Sequence, residues 1–97
     1  MITRINNYRI TLEHLPTEGV EIELNEPLVF EFQNHDEIFT IIERIKAKKT
    51  FADDEEATQF ALGLKLFSEV MLKNKRNPLF TELKPAFGEF MKKLKSS

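Results

Sequence analysis

The longest amphipathic pattern in the chain runs from Phe51 to Asn74, and it constrains the fold more than any other stretch. Asp53 is a favourable N-cap residue, and Glu56 follows three residues later at the position of a capping box. We expect Asn74 to end the helix in a left-handed conformation. A helix over 54–73 is about 30 Å long, the width of a small domain. The pattern therefore predicts one central helix.

Most apolar residues of this helix fall in one broad arc, which predicts that they form the core. They are Ala57, Phe60, Ala61, Leu64, Phe67, Val70, Met71 and Leu72. Gly63 lies in the same arc and indicates a close backbone approach. Leu62 and Leu66 instead interrupt the polar side, one turn apart. Either another element of the chain covers these two leucines, or they form an interface between copies, since exposed apolar patches mark interfaces.

Length and composition bound the class of protein. Ninety-seven residues predict a single domain, residues 1–97. Nine phenylalanines against one tyrosine and no tryptophan indicate a phenylalanine-rich core. The absence of cysteine excludes disulfides, a thiol nucleophile and cysteine-ligated zinc. The first nine residues lack the apolar core of a signal peptide, and no apolar run approaches the ~20 residues that span a bilayer. We therefore expect a soluble, cytoplasmic protein with no membrane association.

Charge is distributed unevenly along the chain. Residues 1–43 contain two arginines and nine acidic residues, whereas residues 73–97 contain seven lysines or arginines and two glutamates. Opposite charges attract, so the acidic and basic parts are expected to attract each other within one chain or between two copies. The alternative is that the basic part forms a surface for nucleic acid or another anionic partner.

Three segments before residue 33 alternate between apolar and polar residues, the pattern of half-buried strands. They are residues 8–13, 20–24 and 28–32. A lone hairpin is marginally stable, so its apolar face needs helices. The chain is therefore predicted to have an α+β fold: an N-terminal antiparallel sheet of two or three strands packed against three C-terminal helices.

The other two helices are predicted over 35–48 and 78–95, on either side of the central one. Asn34 is the expected N-cap of the first, with Glu37 at the capping-box position. Pro78 is expected at the first position of the last helix, where proline is common. Pro85 removes a hydrogen-bond donor and clashes with the preceding turn, so this helix should kink or restart there.

Candidate chemical groups are few. His14 and His35 are expected at the surface or in a cap, because no metal-binding spacing surrounds them. The acidic run 53–56 is explained by the helix start. No cofactor and no metal are therefore expected. A basic loop before a helix N-terminus can hold an anion, so the candidate anion-binding residues are Lys73, Lys75, Arg76, Lys92 and Lys93. No aromatic residues interleave with them, which makes nucleic acid an unlikely ligand.

Several segments also resemble a known family. They are YRITL at 8–12, NHD at 34–36, ALGLKLF at 61–67, EVMLKN at 69–74, NPLF at 77–80 and FGEFMKKLK at 87–95. On these segments the chain resembles a family of small bacterial proteins known as a domain of unknown function. The resemblance covers nearly the whole chain from Tyr8. It implies a bacterial, single-domain α+β protein, and it implies no catalytic or binding residue.

The sequence thus supports a non-enzymatic interaction module that self-associates through Leu62 and Leu66. The alternative is a nucleic-acid or anion-binding protein that uses the basic C-terminal region. A small enzyme is the third hypothesis, and it requires a pocket where titratable groups converge.

Overall fold

The structure, a computed structural model, describes residues 5–97. The chain divides into two compact units, a strand unit that ends at Asp36 and a helical unit, Glu37–Ser97. A two-stranded antiparallel sheet is followed by three helices. This order confirms the predicted α+β class, while the grouping of residues 1–97 into one domain stays a prediction.

The strand unit is a β-hairpin of β1 (Asn6–Leu12) and β2 (Leu28–Asn34). Tyr8 is opposite Phe32 and Ile10 is opposite Phe30 in the antiparallel register. Because side chains alternate across a strand, these four residues share one apolar face. The rings of Tyr8 and Phe32 lie 5.4 Å apart. On the other face, charged and amide pairs cross between the strands, with Arg9 Nη2 2.6 Å from Glu31 Oε2 and Gln33 Nε2 donating to Asn7 Oδ1 over 3.0 Å.

The predicted strand at 20–24 does not form, so the sheet has two strands rather than three. The register pairs Leu12 with Leu28, which leaves 13–27 as a loop beyond the end of the ladder. A turn in this loop is closed by the Val20 amide, which donates to the Thr17 carbonyl over 3.1 Å, and Gly19 adopts a φ of 80° in it. The alternation of 20–24 is that of a strand, but no other strand in residues 5–97 pairs with it.

Helix α1 spans Ile38–Lys48, and its N-cap is Glu37, whose carboxylate accepts from the Thr40 amide over 3.0 Å. The prediction of Asn34 as the cap is wrong. The Asn34 side chain is buried at the end of β2 and accepts from the Asp36 amide over 2.9 Å, which forms a turn before the helix. The helix ends at Lys48, and its C-cap Lys49 is left-handed, with φ 57° and ψ 29°.

Helix α2 spans Asp54–Lys73 as one unbroken element of 20 residues, as predicted. Asp53 caps it by accepting from the Glu55 amide over 3.1 Å. The predicted left-handed conformation of Asn74 is wrong, because its φ is −122°. The Asn74 side chain ends the helix instead, since its Nδ2 donates to the Val70 carbonyl over 2.7 Å.

The predicted helix over 78–95 is divided in two. Pro78–Phe80 form a 3₁₀ turn capped by Asn77, and α3 spans Leu83–Ser96. Pro85 is thus the third residue of α3, in the first turn, where backbone amides have no partner within the helix. Its missing donor is tolerated there. The sequence correctly predicted a restart near Pro85, but the break precedes it.

The core of the helical unit lies between α1 and α2. Ile45 packs with Ala57 and Ala61, and these three residues are buried. Small side chains allow the two helices to approach closely. Of the predicted core arc, Ala57, Ala61 and Met71 are buried, but Phe67, Val70 and Leu72 are exposed. The surroundings of Gly63 are open, so the predicted close approach is wrong.

Phenylalanine rings connect α2 to α3. Phe60 lies 6.1 Å from Phe90, and Phe67 lies 5.9 Å from Phe87. From Phe60 to Phe67 along α2, the contacted ring on α3 changes from Phe90 back to Phe87. The two helices therefore run antiparallel. Phe51, 4.9 Å from Phe60, and Phe80, 6.0 Å from Phe67, extend the row of rings at both ends.

The end of α3 is also tied to α1. Lys48 Nζ donates to the carbonyl of Leu94 over 2.7 Å and to that of Ser97 over 3.1 Å. The last carbonyls of a helix lack partners within it and carry partial negative charge. An ammonium group from α1 therefore caps α3.

Candidate functional site

The predicted interface residues Leu62 and Leu66 lie on α2 and are half-buried. Val70 follows them by one more turn and is 54% exposed. Residues four apart share a helix face, so these three form a single row, which we call the α2 stripe. Ala57 and Ala61, which pack against α1, point to the opposite side of α2. The stripe is thus a candidate contact surface whose exposure rises toward the end of the helix.

The structure brings Lys73, Lys75 and Arg76 together in the connection after α2. They line one surface depression with Leu72, Asn74 and Asn77. Lys84, which the sequence did not single out, joins them, because its ammonium donates to the Lys75 carbonyl. We call residues 72–84 the basic turn.

Backbone hydrogen bonds hold the basic turn in a defined shape. The Asn77 amide donates to the Asn74 carbonyl and the Phe80 amide to the Asn77 carbonyl, each over 3.0 Å. Phe80 is buried, whereas the neighbouring Leu79 is 75% exposed. Leu72 and Leu83 are exposed as well. The turn therefore presents apolar side chains as well as cations.

The remaining predicted anion-binding residues, Lys92 and Lys93, lie elsewhere. They follow Phe90, which contacts Phe60 in the N-terminal half of α2, whereas Lys73 ends that helix. Both line a depression that also contains Glu89, and Lys92 Nζ is 3.7 Å from that carboxylate. The five cations thus fall into two groups rather than one, and whether either group binds an anion stays a prediction.

A surface that the sequence did not single out lies in the strand unit. Residues 12–30, which we call the arm, comprise the ends of both strands and the loop that joins them. Eight apolar side chains of the arm are 40–66% exposed: Leu12, Leu15, Val20, Ile22, Leu24, Leu28, Val29 and Phe30. One signal was present in the sequence, because residues 20–24 alternate as a strand does, yet only the structure shows them without a ladder.

The histidines take part in hydrogen bonds of the strand unit. The Asn25 amide donates to His14 Nδ1 over 3.1 Å, which closes the base of the loop. The His35 carbonyl accepts from Asn6 Nδ2 over 3.4 Å. Within residues 5–97, no three histidine, aspartate or glutamate side chains are grouped so that they could hold a metal ion. In the same residues, no helix is both long and apolar enough to cross a membrane.

The comparisons with known proteins include residues of both units. The model of DUF3861, a domain of unknown function with a solved structure, matches residues 6–96. The crystal structure of a protein of unknown function from Pectobacterium atrosepticum is similar to the chain, with a TM-score of 0.80 and 36% sequence identity. That similarity covers 95% of this chain and 98% of the other. No curated protein matches the chain.

Proposed function

This chain belongs to the DUF3861 family, and we propose that it is an interaction module that assembles with further copies of itself. One observation carries the proposal: the arm exposes eight apolar side chains within a segment of 19 residues, 12–30. Leu12, Leu28 and Phe30 share one face of the hairpin, whereas Val29 lies on the other face. Exposed apolar patches are typical of interfaces. The arm also contains residues 20–24, whose sequence alternates as that of a strand does although they form no strand in the structure.

The α2 stripe is the second surface that self-association could use. Leu62 and Leu66 remain predicted interface residues, and Val70 extends their row. Because the two leucines are half-buried, they offer less uncovered area than the arm. We therefore regard the arm as the main contact and the stripe as an additional one.

Light scattering coupled to size exclusion tests the proposal. We expect the wild-type chain to have a mass of at least twice 11.4 kDa. The substitutions Ile22→Asp and Leu24→Asp place carboxylates in the exposed apolar part of the arm and should reduce the mass to that of one chain. Thr17→Asp, which adds one carboxylate at a polar position of the same loop, is the control for each single substitution and should assemble. A wild-type chain that is monomeric at every concentration would refute the proposal.

Anion binding is the second candidate, favoured by the four cations that the basic turn groups together. Binding to a polyanion releases counterions, so the affinity should fall steeply with salt. We expect retention on heparin at low salt and its loss in Lys75→Glu/Arg76→Glu. A wild-type chain that passes through heparin without retention would remove this candidate. The cytoplasmic location stays a prediction under either function.

A further inference from the structure

The basic turn is the surface that fits the arm, and we infer that the arm of one copy docks on the basic turn of a second copy. This inference rests on the proposed self-association and adds which two surfaces meet. It follows from the composition of each surface, and both surfaces are exposed in the single chain.

The arm is apolar and acidic. No lysine or arginine occurs between Arg9 and Arg44. Five glutamates between the two strands are exposed: Glu13, Glu18, Glu21, Glu23 and Glu26. None of them has a cation partner in the described part of the chain. Carboxylates around apolar side chains repel another arm, so two arms do not suit each other.

The basic turn is positively charged where the arm is negatively charged, and like the arm it exposes apolar side chains. Its cations are Lys73, Lys75, Arg76 and Lys84, all exposed, and its exposed apolar residues are Leu72, Leu79 and Leu83. Glu82 is the one acidic residue in 72–84. Docking the arm here buries apolar surface on both sides and places carboxylates beside ammonium and guanidinium groups. Such complementarity favours this pairing over arm with arm or turn with turn.

Each copy has both surfaces, so a second copy offers an acceptor for the arm. If a two-fold rotation relates the two copies, the arm of each docks on the basic turn of the other. We propose this two-fold dimer, which contains two arm–turn contacts and leaves neither arm free.

Charge exchange between copies tests this arrangement. An arm variant carries Glu21→Lys and Glu23→Lys, and a turn variant carries Lys75→Glu and Arg76→Glu. All four side chains are exposed, so folding should be preserved, and far-UV circular dichroism checks it. One exposed ion pair changes a dissociation constant by about 1.4–5-fold. Reversing two positions at each of two contacts should weaken either homodimer by about tenfold or more.

The mixture of the two variants is the decisive sample. Each has a reversed surface that matches the reversed surface of the other, so the mixture should form a one-to-one dimer of wild-type affinity in sedimentation velocity. Lys92→Glu/Lys93→Glu is the matched control, because it changes the net charge as the turn variant does but lies outside the basic turn. We expect it to dimerise as the wild type does.

The remaining outcomes would overturn the inference in separable ways. If the arm and turn variants still dimerise, or if their mixture stays monomeric, the arm does not dock on the turn of a second copy, although self-association stands. If the arm–turn contact is not restored by mixing the two variants but only by placing all four substitutions in one chain, the arm docks on the basic turn of its own chain. If the control dissociates as the turn variant does, the location is wrong. A monomeric wild type would refute the self-association itself.

Discussion

Gly63 interrupts the interior of α2, and replacing it by alanine should stabilise the protein. A Cβ built at Gly63 has no atom within 4 Å outside the local helix backbone, so the substitution introduces no clash. Glycine in a helix interior is about 0.8–1.0 kcal/mol less favourable than alanine, because it has more conformational freedom to lose. We therefore expect Gly63→Ala to raise the free energy of unfolding by about that amount. For a domain of this size, 1 kcal/mol corresponds to about 4–8 °C in melting temperature.

Urea and thermal denaturation followed by circular dichroism, at one fixed protein concentration, measure this effect. Gly88 in α3 is equally open and should respond in the same direction. Gly19 provides the opposite control, because its φ of 80° is unfavourable for alanine, and Gly19→Ala should destabilise. A loss of stability in Gly63→Ala would refute the reasoning, since it would mean that another surface packs closely against the glycine.

Three further perturbations test other parts of the structure. Lys48→Met removes the ammonium that caps α3 and should lower the free energy of unfolding by about 1–2 kcal/mol. Lys49→Met, at the neighbouring position, should lower it much less. Equal losses in the two variants would contradict the capping role of Lys48. Ile45→Ala creates a cavity between α1 and α2 and should lower the free energy of unfolding by about 2–5 kcal/mol, whereas Ile45→Val should lower it by about 0.5–1.5 kcal/mol. Urea denaturation measures both. A smaller loss in the alanine variant than in the valine variant would contradict the burial of Ile45. Leu62→Glu/Leu66→Glu should lower the mass of the assembly in light scattering while helix content persists, and an unchanged mass would exclude these leucines from the interface.

The elements that sequence analysis predicts best are those fixed by neighbours in the chain. Helix α2 begins after Asp53 and ends at Lys73 as expected, because its caps and its periodicity are local signals. For α1 the sequence predicts a start at residue 35, three residues before the observed start at Ile38. Asn34 and Glu37 can each cap a helix, and Asn34 is used instead by the turn that follows β2. Local pattern alone does not decide between two such residues.

Features that depend on distant partners were not predictable. Residues 20–24 have the alternation of a strand, but a strand also requires a ladder, and pattern does not supply one. The carbonyl acceptors of the Lys48 ammonium are on α3, 46 to 49 residues away, and no local pattern indicates them. The predicted phenylalanine-rich core is only partly present: among residues 5–97 Phe80 is the one buried phenylalanine, while Phe67 and Phe90 take part in ring contacts yet are 40% and 41% exposed.

The candidate site was only partly visible for the same reason. One surface depression contains Lys73, Lys75 and Arg76, which are also close in sequence. Because α3 runs antiparallel to α2, Lys92 and Lys93 lie near the N-terminal half of α2 instead. Lys84 joins the first group through a hydrogen bond that no spacing predicts. The sequence alone indicates the acidic excess of residues 1–43 and the basic excess of residues 73–97. The structure shows in addition that the arm and the basic turn expose apolar side chains.

Zero-length coupling of carboxylates to amines in a mixture of isotopically heavy and light copies tests the central claim most directly. The central claim is that the arm of one copy docks on the basic turn of a second copy. In dimers refolded from mixed heavy and light copies, this claim predicts cross-linked peptides that join Glu21 or Glu23 of a heavy copy to Lys73 or Lys75 of a light copy. Cross-links between these peptides that are exclusively heavy–heavy and light–light would instead place the contact within one chain. Their complete absence would mean that the arm and the basic turn do not meet, and either result would contradict the claim.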